Sequence, residues 1–306
     1  MNIPVINCQG RTIAQAYEDA LIKLKINGIE VKTQYDKLDG MPSIDATANI
    51  TIEEPLTDPM IHKAFPGGIE DLREYVYELN GLKDSWVRAS NDEKDTRWNY
   101  TYHSRMTDWG SWYENALNVN ENKIVKVKVH PKHGDKILSV NQVEEVIKKL
   151  IKDPFTRQAQ IITWVPYLDK DIYDPACLRS IWFRITESGN DWYLNTNISF
   201  RSNDAYNAFM MNCFGLTMFI KENILDVLQM TTQKNIIMGR INWQADSFHL
   251  YSKDREDFEN RFMNRIMKST FTDRTINFWD EEIQNYYHGS EASILEKIHN
   301  YKLDEK

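Results

Sequence analysis

One stretch constrains this chain more than any other: Phe200-Arg201-Ser202-Asn203-Asp204-Ala205-Tyr206-Asn207-Ala208-Phe209-Met210-Met211-Asn212. It follows a run from Trp192 to Phe200 that reads as a strand and leads into an apolar run that reads as a helix from about 205 to 228. A strand that passes into a long helix requires a mixed fold. Such junctions bring free backbone N–H groups and a positive helix end to anionic ligands, and Arg201 adds a planar fork of donors suited to phosphate. A cysteine lies upstream in Asp174-Pro175-Ala176-Cys177, and a polar cluster lies downstream in Asp246-Ser247-Phe248-His249-Leu250-Tyr251. Together they predict a nucleotide site.

The remaining pattern fits one α+β domain over residues 1–306, with less typical N-terminal (1–65) and C-terminal (255–306) segments. Ile13, Ala16, Tyr17, Ala20, Leu21 and Leu24 recur at helical spacing, and the helix they form ends near Gly28. Residues 30–49 read as short strands and turns before Ile50-Thr51-Ile52. Gly67-Gly68 opens a second helix with an apolar stripe of Ile69, Leu72, Tyr75, Val76 and Leu79, and Glu74 sits beside that stripe. A polar loop follows over 80–95. Val143, Val146, Ile147, Leu150 and Ile151 mark a third helix ending at Asp153-Pro154. Strands are expected over 161–165 and 181–185, and another ending in His249-Leu250-Tyr251, with polar helices completing the chain.

A net charge of −8 argues against a broad electropositive surface for nucleic acid. No run of eighteen apolar residues occurs, and the N-terminus lacks the basic-then-apolar profile of a secretory signal. A soluble, cytoplasmic protein with no membrane partner is therefore expected. Cys8, Cys177 and Cys213 form no CxxC pair, so neither a disulfide framework nor a metal site is predicted, and Cys177 is left free as a thiol. Taken alone, Cys177 reads more readily as a small buried hydrophobe than as a nucleophile.

Six segments change that balance because they occur together and in order: Glu74 in Arg73-Glu74-Tyr75, Tyr100-Thr101-Tyr102, Asp153-Pro154-Phe155-Thr156-Arg157, Pro175-Ala176-Cys177, Arg201-Ser202-Asn203-Asp204 with Asn212, and His249-Leu250-Tyr251. Over about 68–251 the sequence resembles the thymidylate synthase family, including its hydroxymethylase relatives. The resemblance implies a central mixed β-sheet packed by helices, with one sheet face used for homodimerisation. It also implies dUMP as substrate and 5,10-methylenetetrahydrofolate as cofactor.

By that resemblance Cys177 is the nucleophile that adds to C6 of the pyrimidine, and Arg201 is the cation that favours its thiolate. Arg201 and Ser202 hold the nucleotide phosphate, with Arg157 reaching across from a second subunit. Gln158 stands where many members carry a further arginine, and Arg179 is a candidate to compensate. Asn212 reads the O4 and N3–H edge of uracil, while His249 and Tyr251 bind the sugar. Glu74 organises proton transfer, its place beside an apolar helix face raising its pKa. Tyr102 assists proton removal from C5. Asp204, with Asn207 beside it, meets the folate. The implied product is dTMP; a hydroxymethyl product is the alternative, and a silent nucleotide-binding relative is a third reading.

Overall fold

The computed structural model describes residues 2–36, 40–87, 98–110, 139–170 and 172–304. At its centre lies a mixed sheet built from β1 (Val5–Gly10), β2 (Ile29–Val31), β3 (Ser43–Ile52), β5 (Ala159–Ile162), β6 (Leu178–Ser188), β7 (Asp191–Asp204) and β8 (Ile236–Leu250). The spatial order is β1-β3-β8-β7-β6-β5, with β2 beside β1 on the same side of β3. β1 runs parallel to β3 and β7 parallel to β8, and the other pairings are antiparallel. A separate short pair joins β4 (Ile61–His62) to β9 (Thr275–Ile276).

Strand alternation decides which face is covered. Along β7, Leu194, Thr196, Ile198 and Phe200 are buried, while Asn195, Asn197 and Ser199 between them stay half-exposed. On the buried side lie α1 (Ile13–Asn27) and α5 (Phe209–Ile220), and α2 (Ile69–Leu79) packs on α5. α1 starts in a capping box: the Thr12 hydroxyl accepts from Gln15 N at 3.4 Å, and the Gln15 side chain accepts from Thr12 N at 3.3 Å. α5 is apolar nearly all round, as a helix buried on several sides must be. Gly215 lets it approach α2, because a Cβ there would run into the Tyr75 ring. No helix among the described residues is long and apolar enough to cross a membrane.

α3 (Tyr102–Thr107) and α4 (Gln142–Lys152) cover the β5 edge. α6 (Asp226–Thr232) follows a π-helical turn at Lys221–Leu225. Near the C-terminus, α7 (Glu281–Gly289) and α8 (Glu291–Asp304) return to pack on α2.

Several expectations needed correction. The strand expected to end at Phe200 continues to Asp204, because its parallel ladder with β8 runs on through Ser202↔Ser247 and Asp204↔His249. Arg201 and Ser202 therefore sit on a strand, and helix α5 starts only at Phe209 after a turn over 205–208. The Asp204 carboxylate shapes that turn, with Oδ1 accepting from Tyr206 N at 3.0 Å and Asn207 N at 2.9 Å. The expected short strands before Ile50 include one ten-residue strand, β3, held by neighbours on both sides. β5 stops at Ile162. The 80–95 loop forms a 3₁₀ turn at Asp84–Trp86, and its remainder beyond Val87 lies outside the described residues.

Candidate active site

Cys177 precedes β6, beside a register shift between Leu178 and Ser180 that re-aims the strand end. Its thiol is half-buried, and Arg201 Nη2 lies 3.5 Å from Sγ. Arg201 Nε donates to the Ala176 carbonyl at 3.0 Å and Nη2 also donates to the Pro175 carbonyl, so the guanidinium is fastened to the segment that carries the thiol. Backbone completes the junction, with Arg201 N donating to Cys177 O at 2.9 Å. Asp174 lies 3.6 Å from Arg201 Nη2.

The charge balance on the thiol differs from expectation. Burial pushes the Cys177 pKa up, Arg201 pulls it down, Asp174 adds to the rise, and the net shift is upward. Arg201 thus acts in the expected direction but is outweighed in this state. Alkylation of Cys177 by iodoacetamide should therefore keep rising with pH beyond the range of an ordinary thiol, whose pKa is about 8.5. A rate that levels off below pH 8 would show that burial does not dominate.

Tyr102 is placed next to this thiol, its hydroxyl accepting from Leu178 N at 3.1 Å. Burial raises its pKa well above the ordinary tyrosine range, with Tyr100 and Cys177 adding to the effect. Arg179, in contrast, turns to Ser199 Oγ at 2.6 Å and pairs with Asp246 at 2.7 Å, and is engaged on the sheet. Arg157 is exposed, and its carbonyl accepts from the Trp182 indole at 2.9 Å. Trp182 lies five positions beyond Cys177 on an extended strand, a span of about 16 Å. Among the described residues no hydrogen bond or ion pair joins Arg157 to the Cys177 segment of its own chain.

Asn212, in the first turn of α5, donates through Nδ2 to the Tyr75 hydroxyl at 2.8 Å and accepts through Oδ1 from Asn203 Nδ2 at 3.1 Å. At the end of β8, His249 Nδ1 lies 3.2 Å from Ser247 Oγ, which donates to Asp45 Oδ2 at 2.9 Å. With the serine proton given to Asp45, Nδ1 is the donor in the contact with Ser247, and in the neutral ring Nε2 is then the acceptor. Nε2 is buried and has no hydrogen-bond partner among the described residues. Tyr251 packs edge-on against His249 at 4.5 Å, and its pKa is pushed up to about 12 by burial first, then by Asp204, with Cys177 among the smaller contributors. Ser202 pairs with Ser247 across the ladder. The parallel ends of β7 and β8 thus gather Arg201, Ser202, Asp204, His249 and Tyr251 at one edge, beside Cys177.

Residues 72–306 match the model of one protein family, thymidylate synthase. The chain belongs to the thymidylate synthase family.

Among curated relatives, a putative thymidylate synthase of Methanosarcina barkeri is 26% identical over 211 residues, covering 69% of this chain and 75% of that protein. A putative thymidylate synthase of Methanocaldococcus jannaschii is 24% identical over 266 residues, covering 84% and 96%. Among solved structures, the thermostable thymidylate synthase A of Bacillus subtilis superposes with a TM-score of 0.52 at 14% identity, over 82% of this chain and 84% of that one. The likeness is one of fold.

In this member of the thymidylate synthase family Glu74 departs from expectation. Burial acts to raise its pKa, but ion pairs with Lys297 at 2.6 Å and Lys83 at 2.7 Å win and hold it below the usual carboxylate value. One turn on, Glu78 is pushed upward by burial, with Lys83 at 3.2 Å only partly opposing. Sequence reasoning passed over Glu78, Trp243 and Asp45, and quoted Tyr75, Asn203 and Ser247 within motifs without giving them a role. Their signal was faint, since each lies within a few residues of a recognised motif or on a strand facing one.

Asp204 and Asn207 are also more engaged than expected. Besides its two backbone bonds, Asp204 accepts from Asn207 Nδ2 at 2.9 Å, and Asn207 Nδ2 donates in turn to Asp254 at 2.9 Å. A carboxylate has about four lone-pair sites, so one at Asp204 Oδ2 is left open by the described residues.

Proposed function

We propose that the chain catalyses folate-dependent one-carbon transfer to C5 of dUMP through a covalent adduct between Cys177 and C6, giving dTMP. The observation that carries this reading is the contact between Arg201 Nη2 and Cys177 Sγ at 3.5 Å. It couples a phosphate-binding group to a nucleophile, as a pyrimidine nucleotide substrate requires. Addition of a thiolate at C6 turns the ring into an enolate whose C5 can attack an electrophilic carbon.

Arg201 is prepared for this task. Nε and Nη2 are spent on the Pro175 and Ala176 carbonyls and the thiol, and among the described residues Nη1 makes no recorded bond. Nη1 is thus open to the nucleotide phosphate, with the Ser202 hydroxyl as an added donor. Arg157, exposed and bonded to no part of its own chain's Cys177 segment among the described residues, fits contribution to the site of a second copy. The half-exposed polar sheet face of Asn195, Asn197 and Ser199 is the surface on which such a homodimer would close. His249 Nε2, an acceptor by its bond to Ser247, receives the sugar hydroxyl, and Tyr251 lies against it. Asn212 meets the base edge. Tyr102, a neutral phenol, assists removal of the C5 proton as a hydrogen-bond partner, and Glu74, kept ionised by its two lysines, is the base that takes up the proton through water.

The residues present fit a folate. The open lone pair of Asp204, with Asp254 beside it, offers acceptors to the donor-rich edge of a pterin. When bound, 5,10-methylenetetrahydrofolate supplies the one-carbon unit and the hydride that reduces it.

A hydroxymethylase shares every step except the last, in which water takes the place of hydride. One observation favours it: α8 is held on α2 by Lys297 to Glu74 and by Ser293 to Glu70 at 2.8 Å, so this segment is committed to the α2 side of the fold. How well a closed site excludes water decides between the two outcomes. The mass of the product formed from dUMP with 5,10-methylenetetrahydrofolate tests both readings. A product heavier than dUMP by one CH₂, a methyl in place of the C5 hydrogen, is expected; a product heavier by CH₂O, the hydroxymethyl compound, overturns the synthase reading, and an unmodified nucleotide overturns both.

A further inference from the structure

Four side chains in the core beneath the site form one directed line of hydrogen bonds. The Trp243 indole Nε1 donates to Asn203 Oδ1 at 3.2 Å, Asn203 Nδ2 donates to Asn212 Oδ1 at 3.1 Å, and Asn212 Nδ2 donates to the Tyr75 hydroxyl at 2.8 Å. The nitrogen and oxygen of an amide are nearly alike in shape, so their assignment has to come from the network. Here the network has an unambiguous start. An indole nitrogen only donates, so the Asn203 atom that meets it is the carbonyl oxygen. The Asn203 NH₂ therefore faces Asn212, and Asn212 must turn its oxygen to Asn203 and its nitrogen to Tyr75.

The start of the line is also fixed in place. Trp243 is fully buried, stacked on Phe200 at 4.6 Å and 15° and edge-on to Phe209 at 5.3 Å. Asn203 is 3% exposed, so a reversed amide would set donor against donor with no water to relieve it. Asn212 keeps one N–H and one lone pair in reserve, at fixed places.

Rotation of an amide by 180° swaps its donor and acceptor. The uracil edge offers an acceptor at O4 and a donor at N3–H, whereas the cytosine edge offers a donor at N4 and an acceptor at N3. An amide free to rotate meets either edge at little cost, but one that is held meets a single edge. We propose that Trp243 and Asn203 are positioning residues that lock the Asn212 amide in one orientation, so that the site accepts a uracil nucleotide and rejects the cytosine analogue. This inference rests on the reading that Asn212 faces the pyrimidine.

Titration calorimetry of the whole protein with dUMP and with dCMP tests it, comparing the wild type with Asn203→Leu and Trp243→Phe. Leucine keeps the branched heavy-atom outline of asparagine and removes the donor to Asn212; phenylalanine keeps an aromatic ring and removes the indole N–H. The wild type is expected to favour dUMP by about a hundredfold, the scale of one buried hydrogen-bonding group left unsatisfied by the wrong ligand. Each variant should cut that ratio by about tenfold, mainly through a gain in dCMP affinity, and the double variant should go no further than Asn203→Leu alone. A purely structural role would weaken both nucleotides alike and leave the ratio unchanged. A wild type that discriminates, with a ratio preserved in Asn203→Leu, overturns the lock and leaves the proposed function standing. A wild type that binds neither nucleotide overturns both. Asn203→Leu decides the matter alone if Trp243→Phe does not fold.

Discussion

Replacing Cys177 by alanine is expected to abolish release of the C5 hydrogen from dUMP in the presence of folate, a loss of at least about four orders of magnitude. The size follows from chemistry: without a thiolate at C6, C5 of a pyrimidine has no enolate from which to attack. The change should leave the fold intact, because the thiol is half-buried and its removal opens only a small gap at the strand end. Binding of dUMP, which the proposed function assigns to Arg201, Asn212 and His249, should change by less than about tenfold. Release of labelled C5 hydrogen reads the chemistry and calorimetry reads the binding. Persistent release in Cys177→Ala would remove the covalent mechanism altogether.

Arg105→Met is expected to cost about 3–5 kcal/mol of stability, read as a shift in denaturant midpoint, because it strands a buried carboxylate. Arg105 and Asp169 are both fully buried and pair at 2.7 Å, and Asp169 also accepts from Val165 N at 2.7 Å. The guanidinium donates further to the Thr163 carbonyl at 3.0 Å and lies 4.3 Å from the Tyr100 ring centroid. Removing both charges in Arg105→Met/Asp169→Leu should recover much of the loss, since a buried pair balances its own desolvation. A single variant that costs less than about 1 kcal/mol would mean that Asp169 finds water or another partner. The site would register the change, because Arg105 lies one turn after Tyr102 on α3 and anchors the helix that brings this tyrosine to Leu178.

Helices α1, α2 and α4 were legible in sequence because their apolar positions recur at helical spacing and their ends carry Thr12, Gly68 and Asp153-Pro154. The strands on either side of the 187–191 turn were legible for the same kind of reason. β1 was missed: its buried positions are Ile6, Cys8 and Gly10, too few and too mixed in type to stand out. The true end of β7 was hidden because nothing local separates Asp204 in a strand from Asp204 at a helix start; its partner His249 lies 45 positions on.

The chemistry was legible as a set of residue types but not as a set of charges. Glu74 was expected to be raised by its apolar neighbours, yet its lysine partners lie nine and 223 positions away and reverse the sign. Cys177 shows the opposite case, where the expected cation is present and burial still prevails. Neither outcome follows from spacing along the chain. Electrostatic balance is set by what tertiary packing brings within a few ångströms.

The unbroken parallel register from Thr196↔Ile241 to Asp204↔His249 limits how this chain can change in length. A single residue added to β8 between Ile241 and Ser247 would leave every functional side chain in the sequence. It would also turn Ser247 and His249 to the opposite face, away from Asp45 and from the edge that holds Arg201. Length variation in the chain's descendants is therefore excluded from this ladder, where one added residue separates Ser247 and His249 from Arg201 and Asp204.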